Sequence, residues 1–105
     1  MASDTPPVRL PIDDVRKRLE SLPEWQLDSQ GERLVRSWKM QDFAAAMKFL
    51  NRIAELAEVL GHHPDFHLER YRHLRIEIWT HSVGGLTERD FSLAAQIDAL
   101  EGTTK

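Results

Sequence analysis

At 105 residues with 41% hydrophobic composition, the chain is sized for one compact domain, which would bury only about two thirds of its unfolded surface and would gain from subunit association. With 17 acidic against 14 basic residues the formal charge is −3, which gives no electrostatic footprint for a phosphate backbone and argues against direct nucleic-acid binding. The lack of cysteine excludes disulfides and thiolate metal sites, and no apolar run approaches the roughly 20 residues of a membrane helix.

Residues 1–10 include Pro6 and Pro7 and are followed by Pro11; they read as a flexible N-terminal arm ahead of a single domain over 11–105. The opening residues lack the basic and apolar regions of a secretory signal, which predicts a cytoplasmic protein. Ile12, Val15, Leu19 and Leu22 then recur at helical spacing. Asp13 and Asp14 suit the positive end of that helix, and Pro23 stops the run. Residues 25–27 and 34–40 read as two strands joined across a polar turn at 28–32, where Gly31 can supply a positive φ.

The longest helix is predicted from Asp42, as N-cap, to Leu60. Phe43, Ala46, Met47, Leu50, Ile53, Ala54, Ala57 and Leu60 would form its apolar stripe. Gly61 and Pro64 end it. Beyond a loop at 62–65, residues 67–81 read as one or two strands. There Leu74, Ile76, Ile78 and Thr80 alternate with Arg75, Glu77, Trp79 and His81. In the last helix Thr87 fits the N-cap, Asp90 completes a capping box, and Leu86 can staple against Phe91. The order α-β-β-α-β-β-α, with hairpins and no βαβ repeat, predicts an α+β fold: a four-stranded antiparallel sheet with helices packed on one face.

All five histidines fall between positions 62 and 81. Histidine alone among side chains has an ordinary pKa near neutrality, so it can both give and take a proton within a turnover. His62 and His63 lie between a helix end and Pro64, which biases His63 towards extended backbone. Glu58 is four residues before His62 and placed to orient it if the helix persists that far. A solvated helix stop explains the same residues. His81 shares the strand face of Trp79 and Glu77 and is free to line a cleft, or is an ordinary strand-end residue. Asp90 is sufficiently explained as a capping acid, yet it can also hold an imidazole. Arg89 is either a solvated first-turn residue or a contact for a polar ligand edge. Glu58, Asp65 and the histidines offer donor atoms for a metal, but Pro64 breaks any helix that would align His63 with His67, so no metal site is expected.

Taken together, Glu58, His62-His63-Pro64, Tyr71, His81 and Asp90 stand in a register that resembles the pterin-4a-carbinolamine dehydratases, also called dimerisation cofactors of a homeodomain transcription factor. Residues 85–90, Trp25 and the Asp42-Phe43 helix opening add to the likeness, which runs from about residue 10 to the end. The resemblance implies a hydro-lyase that dehydrates 4a-hydroxytetrahydrobiopterin to quinonoid dihydropterin, in recycling of the cofactor of aromatic amino acid hydroxylases. It implies no metal or organic cofactor for the enzyme itself, and a homodimer or homotetramer. Carried over by position, His62, His63 and His81 would be the catalytic acid-base set. Glu58 and Asp90 would orient them, and Trp25, Pro64 and Arg89 would contact the pterin. Residues 65–70 are one longer than in many animal members, and Phe66 stands where tryptophan is common. With residues 76–81 this looks more like bacterial and plant members, a group that includes dehydratase-like Rubisco assembly factors. Protein binding, as assembly factor or transcriptional co-regulator, is the alternative function.

Overall fold

The computed structural model describes residues 6–104, with side chains through residue 100. The first five residues of the expected arm lie outside the described part. Residues 6–10 run without regular structure, and the Leu10 N–H donates to the Leu86 carbonyl at 2.8 Å, which ties this stretch to the start of the last helix.

Helix α1 covers Ile12–Leu19 and buries Val15. It ends one turn before Pro23 because the N–H groups of Glu20, Ser21 and Leu22 bond back to residues 17, 18 and 19, an i→i−3 tightening. This turn leads Leu22 into the core before the proline is reached. Strand β1 is Gln26–Leu27 and β2 is Leu34–Lys39, paired antiparallel. The Asp28 carboxylate holds the connecting turn by accepting from the Glu32 and Arg33 N–H groups at 2.8 and 3.2 Å, and Gly31 takes φ +69°.

Helix α2 spans Phe43–Leu60, with Asp42 accepting from the Ala45 N–H at 2.8 Å and Gly61 closing it in the left-handed conformation at φ +67°. Its bounds are those expected, but its buried face is turned. Ala46, Phe49, Leu50, Ile53 and Ala57 are inside, whereas Phe43 and Met47 are exposed, as is Ala54. Phe49, absent from the expected stripe, meets Trp38 edge-on at 5.4 Å. The stripe read from spacing was therefore displaced by the position of the sheet against which the helix packs.

Strands β3, Asp65–Glu69, and β4, His73–Ile78, form a hairpin whose turn places Arg70 and Tyr71 at φ +50° and +59°. The pairing is continuous from Asp65 opposite Glu77 to Glu69 opposite His73. The one or two strands expected over 67–81 are thus two; they begin two residues early, at Asp65, and give up Trp79, Thr80 and His81 at the end. The reason is the neighbour: β2 begins at Leu34, which faces Ile78, so residues past 78 have no partner in the ladder. Thr80 bridges instead to Gly85, closing a 3-10 turn over His81–Val83 with Gly84 at φ +62°. Helix α3 is Glu88–Thr104.

The sheet order is β1-β2-β4-β3, antiparallel throughout. Leu34 on β2 and Leu74, Ile76 and Ile78 on β4 join Phe49, Leu50 and Ile53 of α2 and Phe91, Leu93, Ala94 and Ile97 of α3 in one core. The opposite face carries Ser37, Lys39, His67, Glu69, His73, Arg75 and Glu77 and is half-buried to exposed. The three helices thus cover one face, as expected for this α+β order, and the C-terminus of α2 meets the N-terminus of α3 at the end of β4.

Candidate active site

That meeting point is organised by Asp90, which is fully buried. One carboxylate oxygen, Oδ2, accepts from the Thr87 N–H at 2.8 Å, the back-bond of the capping box, and from the Thr80 hydroxyl at 2.8 Å. The other, Oδ1, lies 2.6 Å from Nε2 of His62, whose side chain is 11% exposed. Since the Thr80 hydrogen goes to Asp90, the 2.9 Å contact between Thr80 and Thr87 is donated by Thr87, whose oxygen also takes the Arg89 N–H at 3.2 Å. Among the described residues no buried side-chain nitrogen or oxygen lacks a hydrogen-bond partner, the condition under which buried polar groups rigidify a site.

The network fixes chemistry as well as shape. With both Asp90 oxygens accepting, the hydrogen on His62 Nε2 is committed, and Nδ1 is the ring atom that can take or release a proton. Asp90 serves at once as the capping acid and as the partner of an imidazole. Through Thr80 it also anchors the turn that carries His81, the next residue.

Glu58 does not orient His62. Its Oε2 is paired with Nε2 of His63, and both side chains are largely exposed, at 74% and 63%. Gly61 is responsible: its left-handed conformation turns the chain off the helix axis, so the i,i+4 relation between Glu58 and His62 is lost. Pro64 follows, half-buried, directly before β3.

His81 is exposed, and its ring stacks on Trp79 with centroids 4.0 Å apart and planes 27° from parallel. Trp79 in turn donates its indole N–H to Asp65 at 3.2 Å and lies under the Arg33 guanidinium at 4.4 Å. Glu77 gathers Arg33 at 2.8 Å, Arg75 at 3.0 Å and His67 at 3.4 Å. The Glu77 hydrogen bond lifts the Arg33 pKa further above its usual value, against a smaller opposing effect of desolvation.

One expected contact lies elsewhere. Trp25 is 3% exposed, edge-on to Trp38 at 6.0 Å, and its N–H donates to Asp98 at 2.9 Å. It is a core residue, and Asp98 is two turns along α3 from Asp90. Tyr71 sits in the β3–β4 turn, at the far end of β4 from His81. Arg89 lines a depression of about 530 Å³ between residues 6–10, α1 and the first turn of α3. Sequence reading gave no site role to Thr80 or Arg33, and it named Asp65 only as a metal donor, not as the partner of Trp79. For Thr80 a signal existed, since a hydroxyl in the apolar row Leu74, Ile76, Ile78 requires a buried partner.

The family described as pterin 4 alpha carbinolamine dehydratase matches residues 8–100. A protein of Acidobacterium capsulatum whose name refers to the same dehydratase is 51% identical over 82% of this chain and 90% of its own length. Relatives in Arabidopsis thaliana have mitochondrial and chloroplastic in their names, and the chain spans 46% of each. The crystal structure of a transcriptional coactivator/pterin dehydratase from Brucella melitensis superposes with a TM-score of 0.82 at 34% identity, over 88% of this chain and 97% of that one. A pterin dehydratase-like RuBisCO assembly factor of the alpha-carboxysome shares the fold, with a TM-score of 0.64 at 24% identity over 75% of this chain and 90% of that one. By the extent of the match and the identity of these relatives, the chain belongs to the pterin-4-alpha-carbinolamine dehydratase family.

Proposed function

We propose that the protein dehydrates 4a-hydroxytetrahydrobiopterin to quinonoid dihydropterin and water, as a step in tetrahydrobiopterin recycling, by histidine acid-base chemistry. The observation that carries this reading is Asp90, which holds His62 on one oxygen and the turn bearing His81 on the other. In the reaction the C4a–O bond breaks with its electron pair leaving on oxygen, and an imidazolium supplies the proton that makes the leaving group water. The adjacent ring nitrogen loses its hydrogen to a second, neutral imidazole as its electron pair forms the new double bond. One proton is given and one taken, so the acid and base end the turnover with their states exchanged and must reset through solvent. His63 and Glu58, exposed and paired at the mouth of the α2–β3 loop, suit that exchange. The site needs no redox step and no Lewis acid for this balance. Pro64 and Arg89 are assigned to pterin contact.

The assembly belongs to the proposal as well. Phe43 and Met47 on α2 and Phe66 on the edge strand β3 are exposed apolar side chains, which fits a homodimer or homotetramer. A cytoplasmic setting is part of the proposal too; among the described residues no helix is long and apolar enough to cross a membrane. A role in protein binding is the second reading, favoured by the coactivator named in the Brucella relative's title.

The test is to generate the carbinolamine chemically and follow its dehydration with and without the protein. Acceleration that disappears in the His62→Ala, His81→Ala double variant is expected. No acceleration by the wild type would leave protein binding as the function, and acceleration surviving the double variant would overturn the site assignment.

A further inference from the structure

The buried network explains how His62 is held, but it leaves His81 without an equivalent. Among the described residues the His81 ring has no hydrogen bond or ion pair, and its backbone lies in a short 3-10 turn. What it has is the face of Trp79, at 4.0 Å and nearly parallel. An exposed imidazole on a turn would otherwise sample several staggered rotamers, and a reacting group spread over rotamers loses the benefit of orientation.

Trp79 is itself unusually constrained for a residue past the end of a strand. Its N–H is committed to Asp65 on β3, and the Arg33 guanidinium covers its ring from just before β2. Arg33 is in turn fixed by Glu77 on β4. Asp65 of β3 and Arg33, the residue before β2, itself held by Glu77 of β4, therefore converge on one indole, and the indole carries one imidazole. Trp79 is half-buried and packs against the hydrophobic core, and its committed N–H and covered ring fix the plane that it offers to His81.

We propose that Trp79 is the positioning residue for His81, and that Asp65, Arg33 and Glu77 act by fixing the indole on which the imidazole rests. The inference rests on the reading of His81 as a reacting group. Aromatic stacking, not a hydrogen bond, then sets the orientation of one histidine of the site, while a carboxylate sets that of the other.

Two measurements separate this inference from the proposed function. In proton–carbon NMR spectra of the intact protein, the ring protons of His81, assigned with His81→Gln, are expected upfield of a free imidazole because they lie over the indole. Trp79→Ala should return them to free-imidazole positions, and Trp79→Phe, which keeps an aromatic face without the N–H, should retain part of the shift. In the dehydration assay Trp79→Ala should lower kcat by roughly ten- to a hundredfold, with KM little changed and partial rescue by Trp79→Phe. Should Trp79→Ala fail to fold, Arg33→Gln and Asp65→Ala leave the indole in place and should each reduce the His81 shift and kcat together. Unshifted His81 protons in the wild type, or kcat that is unaffected by these changes in a protein that does accelerate dehydration, would overturn the inference while leaving the function intact. A wild type that shows the shift but no acceleration would overturn the function and, with it, the catalytic purpose of the stack.

Discussion

Two adjacent histidines, His62 and His63, each face a carboxylate, in opposite surroundings. His62 and Asp90 are 11% and 0% exposed, and Asp90 has further donors from Thr80 and the α3 cap. His63 and Glu58 are 63% and 74% exposed and, among the described residues, have only each other. A buried carboxylate stripped of a partner is left as a desolvated charge with an unsatisfied acceptor, whereas an exposed one returns to water at little cost. The difference teaches that the first pair is part of the fold and the second part of the surface, although a sequence shows both as adjacent histidines with acids nearby.

The largest expected effect is at Asp90. Asp90→Ala removes the acceptor shared by the Thr80 O–H, the Thr87 N–H and the His62 ring, which should lower unfolding stability by about 3 kcal/mol or more. That is a large part of the 5–15 kcal/mol typical of a domain, so urea denaturation should show a clearly reduced midpoint, with dehydration lost as well. A midpoint close to wild type would remove the distinction between the two pairs.

The two histidines sharpen the comparison next. His62→Ala should reduce kcat by about 10²–10⁴-fold, the usual range for a lost general acid or base, and should destabilise by about 1–3 kcal/mol because Asp90 Oδ1 is left buried and unpaired. His63→Ala should also lower activity, but its stability should stay within about 0.5 kcal/mol of wild type. Equal destabilisation in parallel urea titrations would contradict the assignment of one pair to the interior.

Thr80→Val tests the other side of Asp90. The substitution keeps shape while removing the hydroxyl between Asp90 and Thr87, and should cost about 1–2 kcal/mol. His62 remains bound to Oδ1, so kcat should fall much less than in His62→Ala. A loss as large as that of His62→Ala would mean that the His81 turn depends on Thr80 more than on its stack with Trp79.

Which of these features could be read in advance follows from the range of the interactions involved. The bounds of α2 were legible because Asp42 and Gly61 act on their own helix ends, and so was the start of α3, where Thr87 and Asp90 lie three residues apart. The end of β4 was not, because it is set by where β2 begins, some 44 residues earlier in the chain. The same contrast holds within the site. Local spacing assigned Glu58 to His62, while the true partner is 28 residues away and reaches it only because α2 ends where α3 starts. Trp25 was drawn to the site by resemblance, whereas burial, which no local pattern reports, places its ring in the core. The strand alternation did put Trp79 and His81 on one side, and that survives in the stack even though neither residue is in the ladder.

The smallest expected effect is at Glu58, and it sets the lower bound of the comparison. Glu58→Gln removes the charge but keeps a side chain able to accept from His63, and neither residue is withdrawn from water. Its contribution should therefore be less than about 1 kcal/mol and should fall further as salt screens it, so that wild type and variant converge in urea midpoints at high ionic strength. If His63 and Glu58 return protons to solvent after each turnover, the variant should slow dehydration most at low buffer concentration and recover as buffer is raised, because small buffer species can then carry the proton. A kcat deficit independent of buffer would assign Glu58 to holding His63 in place for the chemical step, and would make the exposed pair more like the buried one than its surroundings suggest.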